Sequence, residues 1–335
     1  MKYIQLIGTQ RSGSNLFRLM LNQFDGISAP HPPHLINTFF PILGIYGDLN
    51  KKNSLNKLLL DVIEWVKLNP IKWKNFSITP TKIKSRISRP SIFQVFKSIY
   101  ELCAEQSKSS FWICKSLGNM NYYKMLEKEG LNPIYVYLYR DGRDVALSFK
   151  QTIIGPKHSY SIAKKWSEDQ TLCARIKEEI PKNRFISIKY EDLLSNPKAT
   201  ITDFCKKINI KYDDNVLNYY KSEESKTAAS SGEMWSNLSK PLLVNNKAKF
   251  IKELSLNDVL IFESVAYIML NNLNYKLYNK NSQLISHFSK SQLNQFNLLD
   301  SNLRLSVIKK AKSKDLKLRM PQENFLKKIL DAKSF

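Results

Sequence analysis

The sequence is poor in cysteine, with four in 335 residues, Cys103, Cys114, Cys173 and Cys205. None stands at a paired metal-ligand spacing and four is too few for a disulfide framework. This argues against a zinc site and predicts free thiols in a reducing compartment. No run approaches the roughly 18 consecutive apolar residues of a membrane span. The first strand-like run starts at Tyr3, leaving no stretch before it for a charged and apolar leader, so a cytoplasmic protein is expected. Acidic residues are scarce as well: 29 Asp plus Glu face 52 Lys plus Arg, a net charge of +23. Such a surface favours anionic ligands, acidic substrates, membrane surfaces or nucleic acid, and charge alone does not choose among them. There are no internal repeats. What is plentiful is apolar material, 43% of residues with 11% aromatic, enough to bury one large core or two modest ones.

The most informative stretch is the first. Tyr3 to Gly8 is a short apolar run ending in glycine, which reads as a buried strand, and Leu16, Leu19 and Met20 recur at helical spacing. Between them lie Thr9, Gln10, Arg11, Ser12, Gly13, Ser14 and Asn15. Gly8 and Gly13 let backbone N–H groups turn inward, and the following helix adds the positive end of its dipole, so this loop is suited to an anion. The spacing Gly8-x-x-x-x-Gly13 matches the first half of the nucleoside-triphosphate P-loop, but Ser14-Asn15 stands where that motif needs Lys followed by Ser or Thr. Arg11 supplies a fixed charge instead.

A second motif begins with the strand Ile134 to Tyr139 and continues through Arg140-Asp141-Gly142-Arg143-Asp144 into a helix that includes Ser148. Together the two motifs resemble the sulfotransferases that use 3′-phosphoadenosine 5′-phosphosulfate (PAPS), of the P-loop-like, bacterial type. The loop from Gln10 to Asn15 resembles their 5′-phosphosulfate loop. Arg140 with Ser148 eight residues later resembles the pair that grips the 3′-phosphate. A third segment, Trp112 to Ser116, resembles the family's strand ending in Lys-Ser or Lys-Thr, and gives Lys115 a role in stabilising charge on the transferring sulfonate. Tyr190-Glu191-Asp192-Leu193 resembles the turn whose Tyr lies near adenine. The loop-like stretch Ala228 to Asn237, followed by Ser239-Lys240-Pro241, loosely resembles the segment that closes over the 3′-phosphate, with Ser231, Trp235 and Lys240 as contacts. Leu16 stands where many cytosolic members carry an adenine-stacking tryptophan, and the family's late Arg-Lys-Gly is missing.

The resemblance implies an α/β fold, a P-loop-like three-layer sandwich with a mostly parallel sheet flanked by helices, binding PAPS across the carboxyl ends of the strands. It implies in-line sulfonate transfer to a hydroxyl or amine, with no metal required. In carbohydrate and tyrosine branches of the family the base comes from the segment after the second strand. Here Pro30-His31-Pro32-Pro33-His34 occupies it, and no carboxylate lies between Asp25 and Asp48. That makes His31, then His34, the candidate base, in a range of pKa suited to neutral pH. The resemblance covers residues 3 to 275, with 42–110 read as a helical, basic insertion on the acceptor side and 276–335 as a basic helical extension. The basic stretch Ile71 to Pro90, with Trp73 and Phe76 interleaved, is expected to be irregular and suits an anionic ligand or nucleic acid. A small-molecule, carbohydrate or lipid acceptor is favoured over nucleic acid, with the basic surface available to a membrane. Two other readings stay open. One is a P-loop kinase using Asp141 or Asp144 as a metal ligand, and the other is a non-enzymatic anion binder.

Overall fold

The computed structural model describes residues 1–74 and 76–332; Asn75, within the basic stretch, and residues 333–335, at the end of the extension, lie outside it. Five strands form one sheet: β1 Lys2–Ile7, β2 Ile27–Ser28, β3 Phe111–Cys114, β4 Ile134–Tyr139 and β5 Phe185–Lys189. Their order is β2-β3-β1-β4-β5 and every pairing is parallel. The chain runs outward from β1 in one direction to β2 and β3, then crosses to β4 and β5. The reversal leaves a crevice at the carboxyl ends of β3, β1 and β4, where open α/β sheets bind ligands.

The helices that matter below are α1 Ser14–Leu21, α2 Lys52–Lys67, α3 Ile92–Gln106, α4 Gly142–Lys150, α5 Ser159–Glu179, α6 Pro197–Ile208, α7 Glu223–Ser231, α8 Leu256–Asn272, α9 Lys290–Lys310 and α10 Met320–Asp331. Strand alternation sorts the layers. Ile4 and Leu6 face Phe17 of α1 and Phe204 of α6, while Tyr3 and Trp112 face the apolar stripes of α2 and α3. Trp166 of α5 packs on Phe262 of α8 beside the end of β4. Ser91 caps α3, its hydroxyl accepting from the Phe93 N–H at 3.1 Å.

Helix α2 has Lys51 at its N-cap. Two local expectations change. The stretch 228–237, read as loop from its Ser, Gly and Asn content, is helical: α7 runs to Ser231 and a 3-10 turn follows at Glu233–Ser239. Ser222 caps α7 by accepting from the Ser225 N–H, and Ala228, Trp235 and Leu238 bury into the layer under α1, outweighing the polar composition. The basic stretch contains a short helix, Pro80–Lys84, and buries Trp73, Ile78 and Ile83 in the core.

Candidate functional site

The loop after β1 is shaped by two glycines at positive φ in tight surroundings. Gly8 has φ +125° and a Cβ there would sit 2.4 Å from the Leu138 carbonyl oxygen of β4. Gly13 has φ +87° and a Cβ there would sit 2.4 Å from the Tyr190 ring. Arg11, between them, also takes a left-handed φ of 72°. Gly13→Ala is accordingly expected to destabilise the protein by about 1–3 kcal/mol, read from denaturant unfolding, because backbone strain and overlap with Tyr190 act together. Buried here without a partner among the described residues are the Ser12 hydroxyl and the Asn15 side-chain oxygen. Ser14 is buried at the first turn of α1, and Gln10 is exposed at the rim.

The second motif meets this loop. Arg140, only 6% exposed, leaves the end of β4 and donates through Nη1 to the Arg11 carbonyl at 3.1 Å and through Nη2 to the Asn246 carbonyl at 3.0 Å. Its Nε is buried and unpartnered, and its guanidinium lies 4.6 Å from the Tyr190 ring centre. Arg11 in turn donates from Nε to the Ser148 hydroxyl of α4 at 3.0 Å and from Nη2 to the Met234 carbonyl at 3.3 Å. Burial first, and Arg140 second, push the Arg11 pKa down to about 10. Two guanidiniums are held close here, Arg140 with a free donor, and the Asp144 carboxylate lies 4.0 Å from Arg140 Nη2.

Along the crevice, Lys115 leaves the end of β3. Its loop is fixed by Gln5 of β1, whose side-chain nitrogen donates to the Ser116 carbonyl at 3.1 Å. Burial, then Arg18, Arg319 and Arg11, push the Lys115 pKa down to about 7. The His31–His34 loop is bolted down from α2 and the residues after it. Trp65 donates to the Pro33 carbonyl at 2.5 Å, and Trp73 donates to the His31 carbonyl at 2.7 Å. The Asn69 amide nitrogen donates to the carbonyls of His31 and Ile71 at 2.9 and 3.1 Å and faces His31 Nδ1 at 3.2 Å. Those two carbonyls take the amide's two hydrogens, and an amide nitrogen cannot accept, so the facing Nδ1 carries no proton and that of a neutral His31 sits on Nε2, which is buried and unpartnered. His34 lies at the cap of the short helix Leu35–Phe39 with φ 58°, and its ring makes no hydrogen bond among the described residues. Burial holds both imidazoles well below 6.5; Arg18 then Lys115 are the chief charges acting on His31, and Arg319 then Lys115 on His34.

The structure thus gathers Arg11, Ser12, Gly13, Arg140, Ser148 and Tyr190 round the loop after β1, with Lys115, His31 and His34 as a second group within reach of Arg11's charge. Trp235 belongs to the second group, its ring edge-on to His31 at 5.5 Å. Ser231 turns its hydroxyl back to the Thr227 carbonyl, and the Lys240 side chain is exposed. The two carboxylates considered as metal ligands are engaged elsewhere. Asp141 takes both oxygens to Arg143, at 2.9 and 2.7 Å, and Asp144 accepts from the N–H groups of Ala248 and Phe250 at 2.6 and 3.0 Å.

Sequence reasoning missed Arg18, Asn246 and Arg319. Arg18 is fully buried, donating from Nη1 to the Ala29 carbonyl and to Glu224, both at 2.6 Å, with Nε and Nη2 free. Its signal was a lone charge inside the apolar run Phe17 to Leu21. Asn246 bridges Arg140 and the Tyr190 hydroxyl, to which its side chain donates at 2.9 Å. Neither it nor Arg319 has any local signature. Two surface depressions, of about 370 and 450 Å³, are lined by other residues; the second lies by Lys2 and Phe111 at the opposite ends of the strands.

Comparison with known proteins gives the family and the fold. The family described as "Sulfotransferase family" matches residues 4–214. No curated protein matches the sequence. Among solved structures, the sulfotransferase domain from the Synechococcus PCC 7002 olefin synthase aligns with TM-score 0.51 at 21% identity, over 79% of this chain and 94% of that one. The sulfotransferase domain from the curacin biosynthetic pathway aligns with TM-score 0.56 at 17% identity, over 82% and 98%. At such identities the structures speak for the fold, and the family match carries the assignment: the chain belongs to the sulfotransferase family.

Proposed function

We propose that the protein transfers a sulfonate group from PAPS to a hydroxyl or amine of an acceptor. The observation that carries this is the convergence of Arg11, Arg140 and Ser148 on one pocket edge while the Ser12 hydroxyl and Arg140 Nε stay buried and unpartnered. Such orphaned groups fit an anion with several oxygens. Arg140 and Ser148 would hold the 3′-phosphate, the loop from Gln10 to Asn15 the 5′-phosphate, and Tyr190 the base. PAPS would supply an activated sulfonate whose bond to phosphate oxygen breaks as the acceptor oxygen bonds to sulfur.

The chain's own residues then divide the work. Arg11, Lys115 and the loop N–H groups stabilise charge growing on the bridging oxygen. His34, neutral and with free ring nitrogens, takes the acceptor proton. His31 keeps its proton on Nε2 and serves as a neutral donor beside it. Calorimetric titration with 3′-phosphoadenosine 5′-phosphate, against ATP with and without magnesium, tests the donor. Metal-independent binding that needs the 3′-phosphate is expected; binding of magnesium-ATP alone would make the protein a kinase.

Lys115 gives this titration a pH dependence. Its folded pKa of about 7 lies below the unfolded 10.5, so between those values the unfolded chain holds a proton the folded one lacks, and stability rises with pH. A bound anion reverses the shift. Binding above pH 7 is expected to take up roughly one proton, so that affinity weakens as pH rises, measurable as heats that differ between buffers of different ionisation enthalpy. Lys115→Met is expected to abolish that uptake; an unchanged uptake would remove Lys115 from the site.

A further inference from the structure

The last part of the chain, outside the family match, reaches the His31–His34 loop. It is pinned on two sides. Before Arg319, the Asp315 carboxylate accepts from the Glu233 N–H at 2.8 Å, and Lys312 pairs with the Glu233 carboxylate at 3.0 Å. Glu233 opens the turn that carries Trp235, the ring against His31. After Arg319, the Gln322 side chain, 1% exposed, donates to the Trp65 carbonyl at 3.1 Å, and Trp65 is the residue that holds Pro33 between the two histidines. Ile329 of α10 then anchors in the core of α2 and α3.

Arg319 is thus held over the His31–His34 loop on a stretch of chain fixed at both flanks. Its Nη1 donates to the neutral Gln322 Oε1 at 3.1 Å, and among the described residues it forms no ion pair. Arg18, by contrast, has Glu224 at 2.6 Å. Arg319 is among the charges that lower the pKa of Lys115, His31 and His34. The guanidinium is half-buried, and the carboxylate that acts on it, the exposed Glu323, lies outside ion-pair distance, so an anion that joins it offsets the cost of its burial. The donor's anionic groups would be met by Arg11 and Arg140.

Resting on the sulfonate-transfer reading, we propose that Arg319 is an acceptor-binding residue, and that the acceptor carries an anionic group, a carboxylate or phosphate, beside the hydroxyl or amine that is sulfonated. The fork of Arg319 suits either group through paired N–H donors. The extension would then set which acceptors are taken, while the part of the chain matched by the family holds the donor.

The test titrates inorganic phosphate into the protein saturated with 3′-phosphoadenosine 5′-phosphate. Phosphate is expected to bind the wild type, with affinity falling about tenfold or more in Arg319→Ala and Arg319→Gln and by less than about threefold in Arg319→Lys. The Gln variant keeps a side chain able to reach Gln322 should the Ala variant unfold. Affinity for 3′-phosphoadenosine 5′-phosphate is expected to stay within about twofold in all three. Absence of phosphate binding to the wild type, or equal binding to the uncharged variants, would overturn the proposal. If the nucleotide itself fails to bind, the donor reading falls, and the phosphate titration of the free protein still decides Arg319 by the same contrast.

Discussion

Arg140→Ala is expected to bind 3′-phosphoadenosine 5′-phosphate about 100-fold more weakly than the wild type. The guanidinium is fixed before any ligand arrives: two of its nitrogens hold the Arg11 and Asn246 carbonyls, its face rests on Tyr190, and Nε is buried without a partner. A charge-assisted hydrogen bond contributes about 1.5–3 kcal/mol, which is roughly one to two decades in affinity, and preorganisation puts this one near the upper end. Arg140→Lys keeps the charge but not the fork, and an intermediate loss of about tenfold is expected. The control is a nucleotide lacking the 3′-phosphate, adenosine 5′-phosphosulfate. Its affinity is expected to change little, whereas an equal loss for both nucleotides would mean that Arg140 shapes the loop through Arg11 rather than reading the 3′-phosphate.

His34→Ala is expected to lower turnover by about 10²- to 10⁴-fold, the usual contribution of a positioned proton acceptor, with nucleotide affinity intact. The sign of its pH dependence follows from its surroundings. Burial and the cations Arg319 and Lys115 hold the imidazole well below 6.5, so it is neutral throughout the physiological range, and the rate is expected to fall only as pH drops through that lowered pKa. The acid limb is expected to vanish in the variant. His31→Ala is expected to cost less in turnover and to leave the acid limb in place, since Asn69 holds its proton on Nε2. A His31 variant that loses the acid limb while His34→Ala keeps it would exchange the two roles.

Most of the sheet was legible because buried parallel strands write themselves as short apolar runs: the spans around Tyr3, Trp112 and Ile134 appear where expected. The turn of the loop after β1 was legible for a related reason, since Gly8 and Gly13 mark positive φ where a Cβ would meet Leu138 and Tyr190. Ser231 and Lys240 show the limit. Local composition around them suggested a loop, but the burial of Trp235 and Leu238 winds the segment into helix and turn, and no local pattern reports how much core lies beneath it. Asn246 and Arg319 lay further out of reach. Each matters through contacts to residues 56 and more positions away, Asn246 to Tyr190 and the Arg319 segment, through Gln322, to Trp65. Pairings of that range leave no periodicity in the chain. The extension was readable as helical, and its arrival beside His34 was not.

Arg140 also faces the Asp144 carboxylate, 4.0 Å from its Nη2, and that carboxylate in turn holds the backbone of Ala248 and Phe250, just past Asn246. On the proposed reaction, a phosphate entering here would meet a cation already partly neutralised and would gain only the difference. The same counterweight would act when the nucleotide leaves: a built-in competitor for the arginine would shorten residence time, so Asp144 would tie the grip of the site to its rate of release.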